Sequence, residues 1–407
     1  MNIAIFIADS NGAFPVPAVK GGAVATLVEH LVKEGNKDND NKLTIFSYYD
    51  KNAFNISKKY SNTEFIWIKR PMIIKAFDRI LFKGIQVLRK NKKSISYATV
   101  FSLCWYILKC SIHLRKNIYD KVILENNIPI AWIIKLSRYT GDYYYHFHNV
   151  PRINAKCKDV FAKCKGMLCV SKFVASQIKS KENAIGPVRK EQIKILYNCI
   201  DTEIFKIKNY DKCKKQIVEK YHLPVNKKII VYVGRLSKEK GIDVLLQACK
   251  KLDREDYIVL IVGSFIQGVK AKDSYEDELL KLANDLKEKV YFTGYVNQED
   301  LPTIYAGSDV VVLPSMWDEP AGLTMVEAIC CGANLITTKS GGIPEYITND
   351  DAILLERNTI DRYMTFYVDQ ILTQCRHSKK NVDICNDKFS TMNYYREFIS
   401  ILNVNAP

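Results

Sequence analysis

A chain of 407 residues, 47% of them apolar, is long enough for two domains and too hydrophobic to remain disordered. Its formal charge of +16 points to anionic partners, yet no nucleic-acid motif accompanies it, so nucleic acid is not expected. No apolar run reaches the roughly 18 residues that a membrane-spanning helix needs.

The best spanning candidate, residues 97–108, is too short and is flanked by Lys93 and Lys109. Residues 3–8 are a brief apolar run that meets Asp9, with no basic residue before it, so no signal peptide is read and a cytoplasmic protein is expected. The 12 cysteines are scattered without a C-x-x-C pair. They are expected to be reduced small apolar residues, and the adjacent Cys330 and Cys331 to serve packing.

In chain order, residues 2–8 predict a strand, followed by a loop that ends in Gly21-Gly22-Ala23. Val24, Leu27, Val28, Leu31 and Val32 then form a helical stripe. Strand, loop, glycine pair and helix make a Rossmann half-unit without the G-x-G-x-x-G of dinucleotide enzymes. A glycine pair there lets backbone approach an anion. Residues 43–48 predict the next strand. Asp38-Asn39-Asp40 before it sits in a polar turn with no strand leading in, so it is read as solvated and no metal is assigned to it.

Residues 51–120 concentrate the charge, with 15 Lys and Arg against Glu64, Asp78 and Asp120. Phe65, Trp67, Ile73, Ile74, Phe77 and Phe82 are interleaved. A basic surface studded with apolar groups suits an anionic membrane face or a lipid-linked phosphate. Residues 122–125 and 143–147 predict strands, and the second delivers His148 to a carboxyl end, where ligand sites of open α/β sheets gather. His146, two residues earlier, shares its face. Residues 167–171 predict a strand with Ser171 as N-cap of the following helix.

A Lys-rich stretch over 206–228, with a short helix near 213–221, leads into a second alternating array. Strands are expected at 229–233, 257–263 and 290–294, and helices at 242–252, 276–287 and 297–306. Arg235 and Lys240 fall in one loop ahead of the helix that begins at Ile242. Fixed cations there would stabilise a leaving diphosphate. Residues 309–313 form an apolar run that Pro314 ends, and a helix resumes over 323–329 with Gly332 as its stop. Glu319 stands before that helix and Glu327 within it. A strand and a Gly-rich turn follow. Beyond residue 347 the pattern weakens, with helices expected over 363–372 and 394–402.

The spacing Glu319-x7-Glu327 inside EPAGLTMVEA, followed by SGGIPE over 340–345, resembles the signature of retaining glycosyltransferases of family 4. The resemblance spans nearly the whole chain, with its specific motifs between 229 and 345. It implies an α/β protein of GT-B fold: two Rossmann-like domains facing a cleft. Residues 1–200 would be the acceptor-side domain, 201–380 the nucleotide-sugar domain, and 381–407 a helix crossing back to the first. It places Glu319 at the donor sugar, Glu327 at the ribose, and the backbone of Gly322 and Leu323 at the diphosphate. GRLSKEKG over 234–241 is similar to the family loop whose Arg and Lys, here Arg235 and Lys240, neutralise that diphosphate.

The resemblance further implies that Gly21 and Gly22 face the donor phosphate and acceptor, and that a strand-ending His lies by the donor sugar. His148 matches it best and His146 second. Cys199 stands where the family has Gly in an Asn-Gly pair, which weakens Asn198 as a site residue. The implied activity is metal-independent, retaining transfer of a hexosyl group from a nucleoside diphosphate sugar, with no cofactor. Glu319, His148, Arg235 and Lys240 would be the catalytic set.

From the basic window the acceptor is read as a lipid-linked oligosaccharide at the inner face of the cell membrane, as in surface-polysaccharide assembly. Two other readings stay open. One is a non-catalytic subunit that keeps the fold. The other is a nicotinamide-dependent dehydrogenase, disfavoured by the missing glycine fingerprint.

Overall fold

The computed structural model describes residues 1–8, 13–88, 98–264, 274–374 and 388–403. The chain divides into two compact units, one of Met1–Asn198 with Thr391–Pro407 and one of Cys199–Ser390. No described helix is long and apolar enough to cross a membrane.

The first unit is built on strands β1 (Asn2–Ile7), β2 (Lys42–Tyr48), β3 (Thr63–Ile68), β4 (Lys121–Glu125), β5 (Tyr143–Phe147), β6 (Gly166–Cys169) and β7 (Ile193–Ile195). All pair in parallel in the order β3-β2-β1-β4-β5-β6-β7. Ile3, Ile5, Ile45, Val122 and Ile123 are fully buried, as near-continuous apolar strands covered on both faces must be. The chain order reverses between β1 and β4, where Asn127 Nδ2 donates to Ala8 O at 2.7 Å across the gap.

The C-terminal helix Thr391–Asn403 completes this unit by packing on the helix Ala23–Gly35. Thr391 Oγ1 donates to Glu34 at 2.7 Å and Tyr395 OH to Asp38 at 2.7 Å. Asp38, read from sequence as a solvated turn residue, is thus half-buried and anchors a helix more than 350 positions away. Its carboxyl lies below the usual range because bonds from Asn41, Tyr395 and backbone outweigh its burial.

Several elements fall where the sequence reading assigned none, and three of them bear on the basic window. These three are β3 and the helices Met72–Leu88 and Val100–Lys116. Apolar residues there stand exposed as well as packed, Ile73, Phe77 and Ile80 on the first helix and Phe101, Leu108 and Ile112 on the second, which blurs the helical spacing. Part of the basic window, residues 89–97, lies outside the described residues.

The second unit holds β8 (Lys228–Val233), β9 (Tyr257–Val262), β10 (Val290–Gly294), β11 (Val310–Leu313), β12 (Leu335–Thr338) and β13 (Ile353–Leu355), in the order β10-β9-β8-β11-β12-β13. The order reverses between β8 and β11. Tyr232, Leu245, Val259, Ile261 and Val312 form part of its core. The helix expected over 297–306 is a short 3-10 turn, Gln298–Asp300, followed by Leu301–Ala306. Pro302, which lacks an N–H, is tolerated in the first turn of the latter. The short edge strand β13 was not anticipated, since three residues carry no readable alternation.

Among the described residues ten cysteines are free thiols, all buried except Cys104. Burial pushes the thiols of Cys164, Cys169 and Cys249 up to about 12, so they are inert at neutral pH.

Candidate active site

In the second unit the strand ends at the sheet's reversal point open into a pocket of about 280 Å³. Val233, Gly234 and Arg235 enter it from the end of β8, and Leu313, Ser315 and Glu319 from the end of β11. Lys240, Thr324 and Met325 complete the wall. A crevice outside the carboxyl ends of parallel strands, at the place where strand order reverses, is where open α/β sheets bind ligands.

The sequence brought Arg235, Lys240 and Glu319 to this pocket by three local devices. The turn after β8 is held by Tyr232 OH, which donates to Arg235 O at 2.9 Å. The segment after β11 is tied to that turn by Met316 N, which donates to Glu239 O at 2.8 Å. The Glu319 backbone is gripped by the glycine pair that follows β12: Gly342 N donates to Glu319 O at 2.7 Å. A Cβ on Gly341 would stand 2.2 Å from that same oxygen, and its φ is +56°. Only glycine fits so close an approach. The SGGIPE string therefore acts through the position of Glu319.

Glu319 is buried, and its carboxylate accepts from Lys240 Nζ and from Ser315 Oγ at 2.9 Å. Arg235 is exposed and has no carboxylate partner among the described residues. The pocket thus offers one free guanidinium and one ammonium shared with a carboxylate. An arriving anion can compete for Lys240 and so free the Glu319 carboxylate to accept another donor. Trp317 lies under Lys240, with 5.8 Å from Nζ to the ring centroid. Its buried indole N–H has no partner among the described residues.

The helix Leu323–Cys330 opens at Gly322 without a side-chain cap, so its first N–H groups stay available to an anion. Glu327, about one and a half turns on, does not line the pocket. Its carboxyl is buried and accepts from Tyr305 OH at 3.2 Å. Burial raises its pKa to about 8 against the smaller opposing pull of Tyr305, so it is protonated at neutral pH. The sequence reading gave no hint of this, because a Glu inside an eight-residue helix looks like a surface charge until the helix Leu301–Ala306 is laid against it.

In the first unit Gly21 and Gly22 lie just ahead of the helix Ala23–Gly35, with φ of 72° and 102°, a region open to glycine at no steric cost. His148 follows β5 and meets Glu125, the last residue of β4. His148 Nε2 lies 2.9 Å from one carboxylate oxygen of Glu125, and His146 Nδ1 lies 3.1 Å from the same atom. The two rings are 4.0 Å apart. Burial alone would raise the Glu125 carboxyl, but the imidazoles outweigh it and hold it at about 2. Burial, with His146 alongside, pushes His148 down to about 4 in spite of Glu125.

At neutral pH His148 is therefore a neutral imidazole that donates Nε2–H to an ionised carboxylate. Its Nδ1 is then a bare acceptor, and that atom has no partner among the described residues. These three residues are also the described cluster whose ligand atoms lie close enough, within 4.8 Å, to hold a metal ion. Glu125 was missed from sequence. Its signal, a carboxylate ending an apolar strand, is also that of an ordinary solvated strand end.

Residues 214–380 match the family described as glycosyl transferases group 1. The spore coat protein SA of Bacillus subtilis is 27% identical over 347 residues, which is 82% of this chain and 80% of that protein. The lipopolysaccharide 1,2-N-acetylglucosaminetransferase of Salmonella typhimurium is 27% identical over 57% of this chain and 60% of its own length. Among solved structures, Anabaena Alr3699/HepE in complex with UDP superposes with a TM-score of 0.71 at 16% identity, covering 100% of both chains. That likeness establishes the GT-B fold, two Rossmann-like α/β domains. The pocket between β8 and β11 falls inside the matched segment, so the site lies in the part of the chain that is similar to the glycosyl transferases group 1.

Proposed function

We propose that this glycosyltransferase moves a hexosyl group from a nucleoside diphosphate sugar to an acceptor hydroxyl with retention of the anomeric configuration and without a metal. The observation that carries the reading is the pocket at the end of β8 and β11, where Arg235 and Lys240 stand beside Glu319 at the uncapped start of a helix. The donor's diphosphate would lie against Arg235, Lys240 and the backbone at Gly322 and Leu323. These groups oppose the negative charge that grows on the leaving diphosphate as the glycosidic bond breaks. The leaving phosphate oxygen would take the proton of the incoming hydroxyl on the same face.

Glu319, freed from Lys240, would hold the sugar. His148, through its unpartnered Nδ1, would accept from a sugar hydroxyl, with Glu125 fixing its tautomer. Gly21 and Gly22 would let backbone approach the donor phosphate. Glu327, on the helix that opens at Gly322 but outside the pocket lining, would have to exchange its bond from Tyr305 for one from the ribose. UDP as the nucleotide is suggested by the Anabaena fold neighbour, and a lipid-linked oligosaccharide acceptor in surface-polysaccharide assembly by the Salmonella relative together with the basic window.

The test is NMR of the sugar released when the enzyme hydrolyses its donor without acceptor. The retained anomer should appear first, at the same rate with and without a chelator. First appearance of the inverted anomer would overturn the reading, as would loss of turnover on chelation.

A further inference from the structure

The helices Met72–Leu88 and Val100–Lys116 form a clasped pair in the first unit. Asp78 on the first caps the second, accepting from Phe101 N at 2.8 Å, Ser102 N at 3.2 Å and Ser102 Oγ at 2.5 Å. Thr99, the residue in the N-cap position, makes no side-chain cap of its own. The second helix buries Ser102, Tyr106, Cys110 and Leu114. Each helix then carries a further apolar stripe facing water.

On the first helix that stripe is Ile73, Phe77 and Ile80, which are 63%, 47% and 68% exposed. On the second it is Phe101, Leu108 and Ile112, all exposed, with half-buried Trp105 between them. Both sets repeat at i, i+4 and i+7, one helical face each. The rings of Phe77 and Phe101 lie 5.6 Å apart, which joins the two stripes into one patch. So much contiguous apolar surface marks a docking face.

Charge decides what docks there. Arg79 and Lys83 flank the first stripe and Lys109 the second, all exposed, and Lys109 Nζ sits 4.6 Å from the Trp105 ring centroid. The one acid in either helix is Asp78, and it is buried in the clasp. An apolar face ringed by cations, with no exposed carboxylate, suits a bilayer with anionic headgroups. Aliphatic and aromatic tips enter the acyl boundary while Lys and Arg remain at the phosphates.

We propose that this two-helix face seats the enzyme on an anionic membrane surface. The proposal deepens the lipid-linked acceptor part of the function given above and takes its biological purpose from that reading. Its physical basis is the patch itself.

The experiment is co-sedimentation of the full chain with vesicles of phosphatidylcholine alone and of phosphatidylcholine mixed with phosphatidylglycerol, at low and high salt. Wild type should pellet with the anionic vesicles and not with the neutral ones, and high salt should release it. Ile73→Ser/Phe77→Ser/Ile80→Ser, and separately Arg79→Glu/Lys83→Glu, should each weaken partitioning by at least about tenfold. All five residues are exposed, so both variants should keep the melting temperature of the wild type. Equal binding to both vesicle types, or to neither, would overturn the proposal. So would a dimer in light scattering that the triple variant dissolves, since the patch would then cover a second copy. Thermal shift with UDP on the same samples separates the two readings. UDP binding kept while vesicle binding fails removes the membrane face alone, whereas absent UDP binding counts against the donor site.

Discussion

Both sheets put polar groups at the ends of the strands flanking their reversal point, and they treat those groups in opposite ways. At the end of β8 and β11 the charges border an open pocket: Arg235 is exposed, and the side chain of Lys240, paired with Glu319, is 24% exposed. At the end of β4 and β5 the charge is shut away, with Glu125 fully buried between two imidazoles. An open charge can exchange its protein partner for a ligand's, because water has already met part of the desolvation cost. A buried carboxylate cannot, and its worth lies in holding its neighbours in one geometry.

Substitutions should expose this contrast. The largest effect is expected from Lys240→Ala or Glu319→Ala, each lowering transfer by about 10²–10³-fold, the usual consequence of removing one preorganised electrostatic partner. Lys240→Ala should also cost stability, by up to a few kcal/mol, since it leaves the buried Glu319 carboxylate without its cation. Unchanged turnover in both variants would break the assignment of the open site.

Next is Glu125→Ala, which leaves two buried imidazoles without their acceptor. Urea denaturation should show a loss of about 3 kcal/mol, while UDP affinity, if it is a property of the second unit, stays unchanged. A loss below about 0.5 kcal/mol would mean that the buried trio is not structural.

Glu327 tests whether a buried acid in the second unit behaves like the closed group or the open one. Its pKa is about 8 in the fold against an ordinary 4.5, so the folded state binds more protons than the unfolded one between those values. Stability therefore declines as pH rises from about 4.5 to 8. Glu327→Gln, which mimics the protonated form, should flatten that decline. It should be more stable than wild type at pH above about 8, by a few kcal/mol at most. Parallel pH profiles of the two proteins would show instead that the carboxyl is ionised in the fold.

The smallest effect is expected from Tyr395→Phe, which removes the bond to Asp38 and should cost about 1 kcal/mol in denaturant unfolding. No change would mean that the C-terminal helix is held by its apolar face alone.

The open site was legible in sequence and the closed one only by half. Arg235, Lys240 and Glu319 lie in loops beside strong apolar strands, and their spacing is local, so motif and structure coincide. His148 could be placed at a strand end, but Glu125 lies 23 positions earlier, and only the parallel pairing of β4 with β5 brings them together. The pairing of Glu327 with Tyr305 depends likewise on helix packing that no spacing encodes. The strands β1, β2, β4, β5, β8 and β11 could be read because buried parallel strands are apolar throughout. The helices Met72–Leu88 and Val100–Lys116 could not, because both keep large apolar residues exposed, Ile73, Phe77 and Ile80 on the first and Phe101, Leu108 and Ile112 on the second.

The most direct measurement is calorimetric titration of UDP into the protein without magnesium. It is made on wild type, on Arg235→Ala/Lys240→Ala and on His148→Ala. The account predicts binding by wild type, at least tenfold weaker binding when both cations are gone, and a UDP affinity in His148→Ala close to that of wild type. Binding equally tight in the double variant, or absent in wild type, would contradict the donor site placed between β8 and β11.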